Sequence, residues 1–246
     1  MKLLRRHKTV LLVLGIYWPL IFWLTHIPVP DVARQSGMSD KTMHVLAYFV
    51  LTFLVWFAVS PYHKVRWSKP KVWFVLLGVL CYGAIDEYLQ GRVGRSMDGM
   101  DFVANLFGVV LGLGLLSILG FWSALLAVSA IFIFVISNMS NLLVLYPQYH
   151  LNMVFHFTAY TAFTYIWMQY LDRRDNSPSG RVVRLTASWI VPILLLFFIK
   201  ATAPIFGHPF SWPDAATGLF GICAAILVSW VVFRFSRRKN EGATEL

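Results

Sequence analysis

Read for hydrophobicity alone, the chain alternates long apolar stretches with short polar ones. Eight apolar stretches stand out, at roughly 9–26, 41–59, 72–90, 101–119, 122–138, 153–171, 183–203 and 213–233. Each is near the ~20 residues that a helix needs to cross a hydrocarbon layer of ~30 Å. Polar punctuation marks several starts. Ser39-Asp40-Lys41 reads as a helix cap before the second stretch. Asp98-x-x-Asp101 and Ser211-Trp-Pro213-Asp214, before the fourth and eighth, have the spacing of a capping box. Pro19 predicts a kink in the first helix. The fold class is therefore all-α, a polytopic membrane bundle of about eight transmembrane helices.

The loops add an orientation. Lys and Arg number four at 2, 5, 6 and 8, four at 64, 66, 69 and 71, four at 173, 174, 181 and 184, and four at 234, 237, 238 and 239. Those sixteen fall on one side of an eight-span topology, against Arg34, Lys41, Arg92 and Arg95 on the other. The positive-inside rule then puts both termini in the cytoplasm. A hydrophobic fraction of 58% with 13% charged residues excludes an ordinary soluble domain. The net charge of +10 is explained by topology, so no nucleic-acid partner is expected. The basic N-terminus lacks a small-x-small cleavage site and reads as an uncleaved helix. Cys81 and Cys223 lie within spans and are expected as buried thiols without a disulfide. No zinc-type spacing accompanies them, and neither a metal nor another cofactor is expected.

The pattern also repeats. A shift of 112 residues lays His44-Val-Leu-Ala47-Tyr48 on His156-Phe-Thr-Ala159-Tyr160. A shift of 113 lays Asp101-Phe-Val-Ala-Asn105-Leu-Phe-Gly108 on Asp214-Ala-Ala-Thr-Gly218-Leu-Phe-Gly221. This predicts two four-helix units, residues 1–120 and 121–246, in the same orientation because four is even.

Candidate chemistry concentrates in the first unit. Glu87 lies sixteen residues past Lys71, or ~24 Å along a helix. His44 and Asn105 lie four residues inside their helices from the opposite end, so ~6 Å deep. Three polar side chains from three helices thus share one level near the outer surface. Tyr48 lies a turn deeper than His44 and Gln90 a turn shallower than Glu87. Lys41, Arg92 and Arg95 lie toward the outer loops. Ionisable groups at membrane depth are functional candidates, and guanidinium groups suit phosphate oxygens. The site predicted is one for an anionic lipid headgroup. Glu87 and His44 would handle protons there, and Lys41, Tyr48, Gln90, Arg92, Arg95 and Asn105 would bind. Asp98, Asp101, Gly108 and Asp214 read as architectural, because both units keep a similar Ser/Asp-x-x-Asp entry and a Leu-Phe-Gly. Lys200 falls at the depth of Glu87 in the second unit, which leaves open a pairing with Glu87, a lipid phosphate, or snorkelling to the surface.

These residues carry a resemblance. Thr25-His26-Ile-Pro28, Asp40-Lys41-x-x-His44-x-x-x-Tyr48, Asp86-Glu87-x-x-Gln90 and Arg95-Ser-x-Asp98-x-x-Asp101-x-x-x-Asn105-x-x-Gly108, in that order, resemble the VanZ-like family of bacterial membrane proteins. The likeness covers roughly residues 10–118. Residues 122–233 resemble a second, eroded unit in which Asn138 stands at the position of His26. The resemblance implies a multi-pass protein of the bacterial cytoplasmic membrane. Its partner would be a membrane lipid or lipid-linked envelope precursor, with an effect on teicoplanin tolerance. A lipid or small-molecule transporter and a non-catalytic assembly protein are the rival readings. No G-x-S-x-G or HExxH motif argues for a hydrolase, and protein partners are not indicated.

Overall fold

A computed structural model of the chain describes residues 2–26, 39–61, 63–92, 98–139, 151–174 and 180–241. It is all helical. The helices are α1 (Lys2–His26), α2 (Asp40–Val59), α3 (Pro70–Gln90), α4 (Gly99–Ile118), α5 (Phe121–Asn138), α6 (Leu151–Arg174), α7 (Gly180–Thr202) and α8 (Trp212–Glu241), with a 3-10 turn at Ala203–Phe206. Seven of them, all but α6, are long and apolar enough among the described residues to cross a membrane. The chain is a multi-pass membrane protein by that measure.

The expectation of eight apolar spans is thus met by eight helices and seven spans. Helix α6 falls short because Asn152, His156, Thr158, Thr161, Thr164, Gln169, Asp172 and Arg173 interrupt its apolar face. Helix α1 runs unbroken through Pro19. Cys81 is exposed and Cys223 half-buried, both free. They were expected to be buried, but Cys81 lies on an exposed helix face and Cys223 is only partly covered, and in a membrane such a face meets apolar lipid.

The distribution of polarity is inverted relative to a soluble domain. Phe74 is 76% and Ile205 79% exposed, whereas Asp86 and Asn105 are fully buried. Lipid solvates the former at no cost, and helix packing shields the latter from it.

Two compact units divide the chain, Met1–Val128 and Ser129–Leu246. In the first, α2 packs its Tyr48, Leu51, Phe53, Trp56 and Phe57 against Val72, Val75 and Val79 of α3 and Val109, Leu113 and Leu116 of α4. Helices α2 and α4 run parallel and nearly touch. A Cβ on Gly108 would lie 2.5 Å from the Val45 carbonyl oxygen, and one on Gly112 would lie 3.1 Å from Thr52 Cβ. In the second unit α6 and α8 make the corresponding approach. A Cβ on Gly221 would collide with the Phe157 carbonyl oxygen, and Thr161 Oγ1 donates to the Gly221 carbonyl at 3.1 Å. Asn138 at the end of α5 donates to the Ile199 carbonyl and to Thr202 Oγ1 of α7.

Helix ends are built as their sequences suggest. Ser39 Oγ accepts from the Thr42 amide at the start of α2. Asp98 Oδ1 accepts from the Met100 amide at the start of α4. Pro70 opens α3, where its missing N–H has no consequence. Gly207 adopts φ 81° and lets the chain turn after the 3-10 segment.

Candidate functional site

The polar residues of the first unit gather at the end where α1 and α3 finish and α2 and α4 begin. Helical spacing explains which side chains arrive together. On α2, Asp40, His44 and Tyr48 recur every four residues and share one face. On α4, Asp101, Asn105 and Gly108, spaced by four and three residues, also share one face behind the Asp98 cap. Helix α3 contributes Gly83, Asp86, Glu87 and Gln90, and α1 ends on Thr25 and His26.

His44 is the hub. Its Nδ1 donates to Asn105 Oδ1 at 2.9 Å, and the same atom lies 3.6 Å from Glu87 Oε1. Because an amide oxygen can only accept, this bond places the neutral ring's proton on Nδ1 and leaves Nε2 as a lone pair. Nε2 lies 3.9 Å from Asp40 Oδ2. Asp101 of α4 completes this side, with ligand atoms of Asp40, His44 and Asp101 all within 4.8 Å of one another. Those three are the residues here that could hold a metal ion. Glu87 is 4% exposed, yet neither of its carboxylate oxygens is hydrogen-bonded, and nor is Asp101 Oδ1.

A second cluster adjoins the first. Asp86, fully buried, accepts from Thr25 Oγ1 at 3.1 Å and from Gln90 Nε2 at 2.9 Å. His26 Nδ1 lies 3.7 Å from the same carboxylate and donates to the Phe22 carbonyl at 2.8 Å. Below the two clusters, Tyr48 OH and Asn105 Nδ2 converge on Gly83, where a Cβ would lie 3.3 Å from each. Both atoms are buried without a hydrogen-bond partner. Gly83 is the clearance that lets them approach.

At the rim, Lys41 Nζ donates to Asp98 Oδ2 at 3.0 Å and lies 3.5 Å from Asp101 Oδ1. The Met100 amide, then the Lys41 ammonium, hold the Asp98 carboxyl below its ordinary pKa. Arg92 turns to Tyr88, four residues back on another face of α3. Its guanidinium hydrogen-bonds the Tyr88 hydroxyl and sits 5.1 Å from the ring centroid. Arg95 lies outside the described residues.

Of the residues singled out from sequence, then, His44, Glu87 and Asn105 meet, with Tyr48 directly beneath. Gln90 lies beside them but bonds Asp86. Lys41 binds the acids at the rim, and Arg92 points elsewhere. Asp98 caps α4 and Gly108 allows the α2–α4 approach. Asp101 does not close a capping box, since its carboxylate points into the cluster. Asp214, in the second unit, accepts from Lys200 Nζ at 3.1 Å. Lys200 also reaches His156 Nε2 at 3.1 Å, so its partners are local. Sequence reasoning passed over Asp40, Asp86, Thr25 and His26 as site members. The signal for Asp40 was its i,i+4 spacing to His44, and for the others their place in the quoted motifs.

An apolar groove of about 500 Å³ runs between α1 and α3, lined by Leu11, Leu14, Gly15, Trp18, Phe22 and Tyr82 among others. Two of its lining residues adjoin site residues. Phe22 stacks on His26 with ring centroids 4.0 Å apart, and Tyr82 precedes Asp86 by one helical turn. Chemically, the site offers buried carboxylates and a single-tautomer imidazole beside an apolar slot. No family model, no curated protein and no solved structure matches the chain.

Proposed function

We propose that the chain is a VanZ-like protein of the bacterial cytoplasmic membrane, formed of two four-helix units of common origin, and that its first unit binds a lipid with an anionic headgroup. One observation carries the lipid reading: the apolar groove of α1 and Tyr82 adjoins the polar site, Phe22 stacking on His26 and Tyr82 lying one helical turn from Asp86. An acyl chain fits the groove, and a headgroup would then lie at the acid–imidazole cluster, with Lys41 at its rim. Orphaned buried donors at Asn105 Nδ2 and Tyr48 OH support it, since each costs about 1–3 kcal/mol unless something bonds it. Glu87 and His44 are the proton-handling pair of this reading. An effect on teicoplanin tolerance would follow if the lipid were part of the envelope.

Native mass spectrometry of the purified protein tests this. A phosphorylated lipid is expected to co-purify with wild type and to be lost from Glu87→Ala, His44→Ala and Arg95→Ala. Equal retention by all three folded variants would end the headgroup assignment. Gly15→Leu tests the groove separately. A Cβ there meets nothing within 4 Å, so the variant should fold normally and gain helix propensity, about 1 kcal/mol at most. It is expected to lose bound lipid nonetheless, because the leucine fills the slot.

The proposed topology places both termini in the cytoplasm, with α6 as an eighth crossing despite its polar positions. Its His156, Tyr160 and Thr164 are buried within the second unit, which removes them from contact with lipid. Cysteines placed at residue 5 and residue 240 should therefore be equally protected from a membrane-impermeant thiol reagent in intact cells. Labelling of one alone would mean seven crossings.

A further inference from the structure

The two units treat one position in opposite ways. By the 112- and 113-residue shifts, His156 answers to His44, Asp214 to Asp101, Lys200 to Glu87 and Asn152 to Asp40. In the second unit the Lys200 ammonium sits 3.1 Å from His156 Nε2 and 3.1 Å from Asp214 Oδ2. An imidazole lone pair and a carboxylate share one tethered cation. In the first unit His44 Nε2 lies 3.9 Å from Asp40 Oδ2, with Asp101 in the same cluster, and Glu87 and Asp40 stand where the second unit has Lys200 and Asn152. In the second unit one ammonium faces one carboxyl group, whereas in the first three carboxyl groups, of Asp40, Glu87 and Asp101, surround one imidazole. Lys41 at the rim pairs with Asp98 at 3.0 Å and also lies 3.5 Å from Asp101 Oδ1.

We propose that Asp40, His44 and Asp101 bind a divalent metal cation at the polar end of the first unit, in the position that the Lys200 ammonium occupies in the second. Four features support it. Ligand atoms from the three side chains lie within 4.8 Å of one another. Glu87, 4% exposed, has neither carboxylate oxygen hydrogen-bonded beside the imidazole, and Asp101 Oδ1, also without a hydrogen bond, lies 3.5 Å from the Lys41 ammonium. Asn105 Oδ1 takes the His44 Nδ1 proton at 2.9 Å, the outer-shell bond that orients a metal-binding imidazole and keeps Nε2 free. Asp40, whose side chain is 43% exposed, opens the site to solvent and gives an ion a way in. One imidazole with two carboxylates suits Mn²⁺ or Zn²⁺ better than Mg²⁺ or Ca²⁺, which prefer oxygen alone. Glu87, beside the imidazole, is available to a metal-bound water or to a ligand that the ion recruits. The ion would also reconcile an acidic cluster with an anionic headgroup, yet the site stands without that reading.

Mn²⁺ binding to the detergent-purified full chain, followed by the loss of the free-ion paramagnetic resonance signal, tests the site with no lipid readout. One Mn²⁺ per chain, displaced by Zn²⁺, is expected. Asp40→Asn and Asp101→Asn should weaken binding by at least about tenfold. Glu87→Lys should abolish it while keeping the wild-type helix content, because it rebuilds the second unit's tethered ammonium in the first. Replacing the more exposed His63 and His208 with Gln should change nothing. The proposal is overturned if the wild-type chain shows no saturable Mn²⁺ binding into the millimolar range, or if Asp40→Asn, Asp101→Asn and Glu87→Lys all bind as wild type does. The wild-type measurement decides even if a variant fails to fold.

Discussion

Gly108→Ala is expected to lower the thermal stability of the detergent-solubilised protein by the equivalent of about 2 kcal/mol, in the range of an overpacked core. The added methyl would stand 2.5 Å from the Val45 carbonyl oxygen, 3.1 Å from the Phe49 amide nitrogen and 3.2 Å from Tyr48 Cβ. Two of those neighbours are backbone and cannot swing aside, so α2 and α4 must part along their length. Gly112→Ala meets a side chain instead, Thr52 at 3.1 Å, and should cost less. Gly78→Ala and Gly114→Ala meet nothing within 4 Å and should be neutral or slightly stabilising. The site should suffer with the packing, because His44 and Asn105 lie on the same two helices one turn above, and their 2.9 Å bond cannot survive a wider spacing. A Gly108→Ala protein that melts with the wild type, while Gly78→Ala does not differ either, would show that the α2–α4 approach contributes nothing.

Much of this arrangement is legible from sequence because depth in a membrane helix is a matter of counting residues. Sixteen residues from Lys71 to Glu87 and four from Asp40 to His44 place the two groups at one level, and the structure brings them within 3.6 Å. Azimuth is harder, and most of the unforeseen detail lies there. Arg92 is at a suitable height, but position 92 lies one turn above Tyr88 and so faces away from Glu87. Gln90 lies one turn from Asp86 as well as near Glu87, and the amide bonds Asp86 at 2.9 Å. Asp101 has capping-box spacing, but Asp98 alone fills the capping role at 2.9 Å. Its buried carboxylate is therefore left to join Asp40 and His44. Lys200 matches Glu87 in depth, and depth alone could not exclude their pairing. A 3-10 turn at Ala203–Phe206 returns the chain sharply enough for α8 to bring Asp214 alongside, fourteen residues on. Helix α6 shows the converse limit. Its polar residues hide its character from a hydropathy scale, since the scale cannot know that His156 and Tyr160 are buried by α8.

The contrast between the units also bears on what holds each together. The second unit closes its polar layer internally. His156, Lys200 and Asp214 satisfy one another, while among the described residues His156 Nδ1, the Tyr160 and Thr164 hydroxyls and Asn138 Oδ1 are buried without a hydrogen bond. The first unit leaves Glu87, Asp101, Asn105 and Tyr48 each with an unbonded buried atom. A packing role is served by the first pattern and not by the second, since every orphaned group subtracts from stability. The second unit is in this sense a scaffold version of the layer, and the first a version left open for ligands.

Lys200→Met is expected to be the most damaging single change in the second unit. The ammonium is 7% exposed and donates to a carboxylate that is itself 8% exposed. Removing it strands Asp214 in a low-dielectric setting, a loss of about 3–5 kcal/mol when a buried pair is broken from one side. Asp214→Leu should cost a similar amount by stranding the lysine. The double variant Lys200→Met/Asp214→Leu removes both charges at nearly constant volume, and replacement of a buried pair by apolar groups is often neutral. It should therefore recover most of the loss, and the coupling in a double-mutant cycle should exceed about 2 kcal/mol. Thermal melts of the four proteins in one detergent measure this. If the two single changes simply add, the pair is not a unit and the ammonium cannot stand as the tethered counterpart of an ion. If they couple, the second unit has solved with a covalent cation the electrostatic problem that Asp40, Glu87 and Asp101 pose in the first.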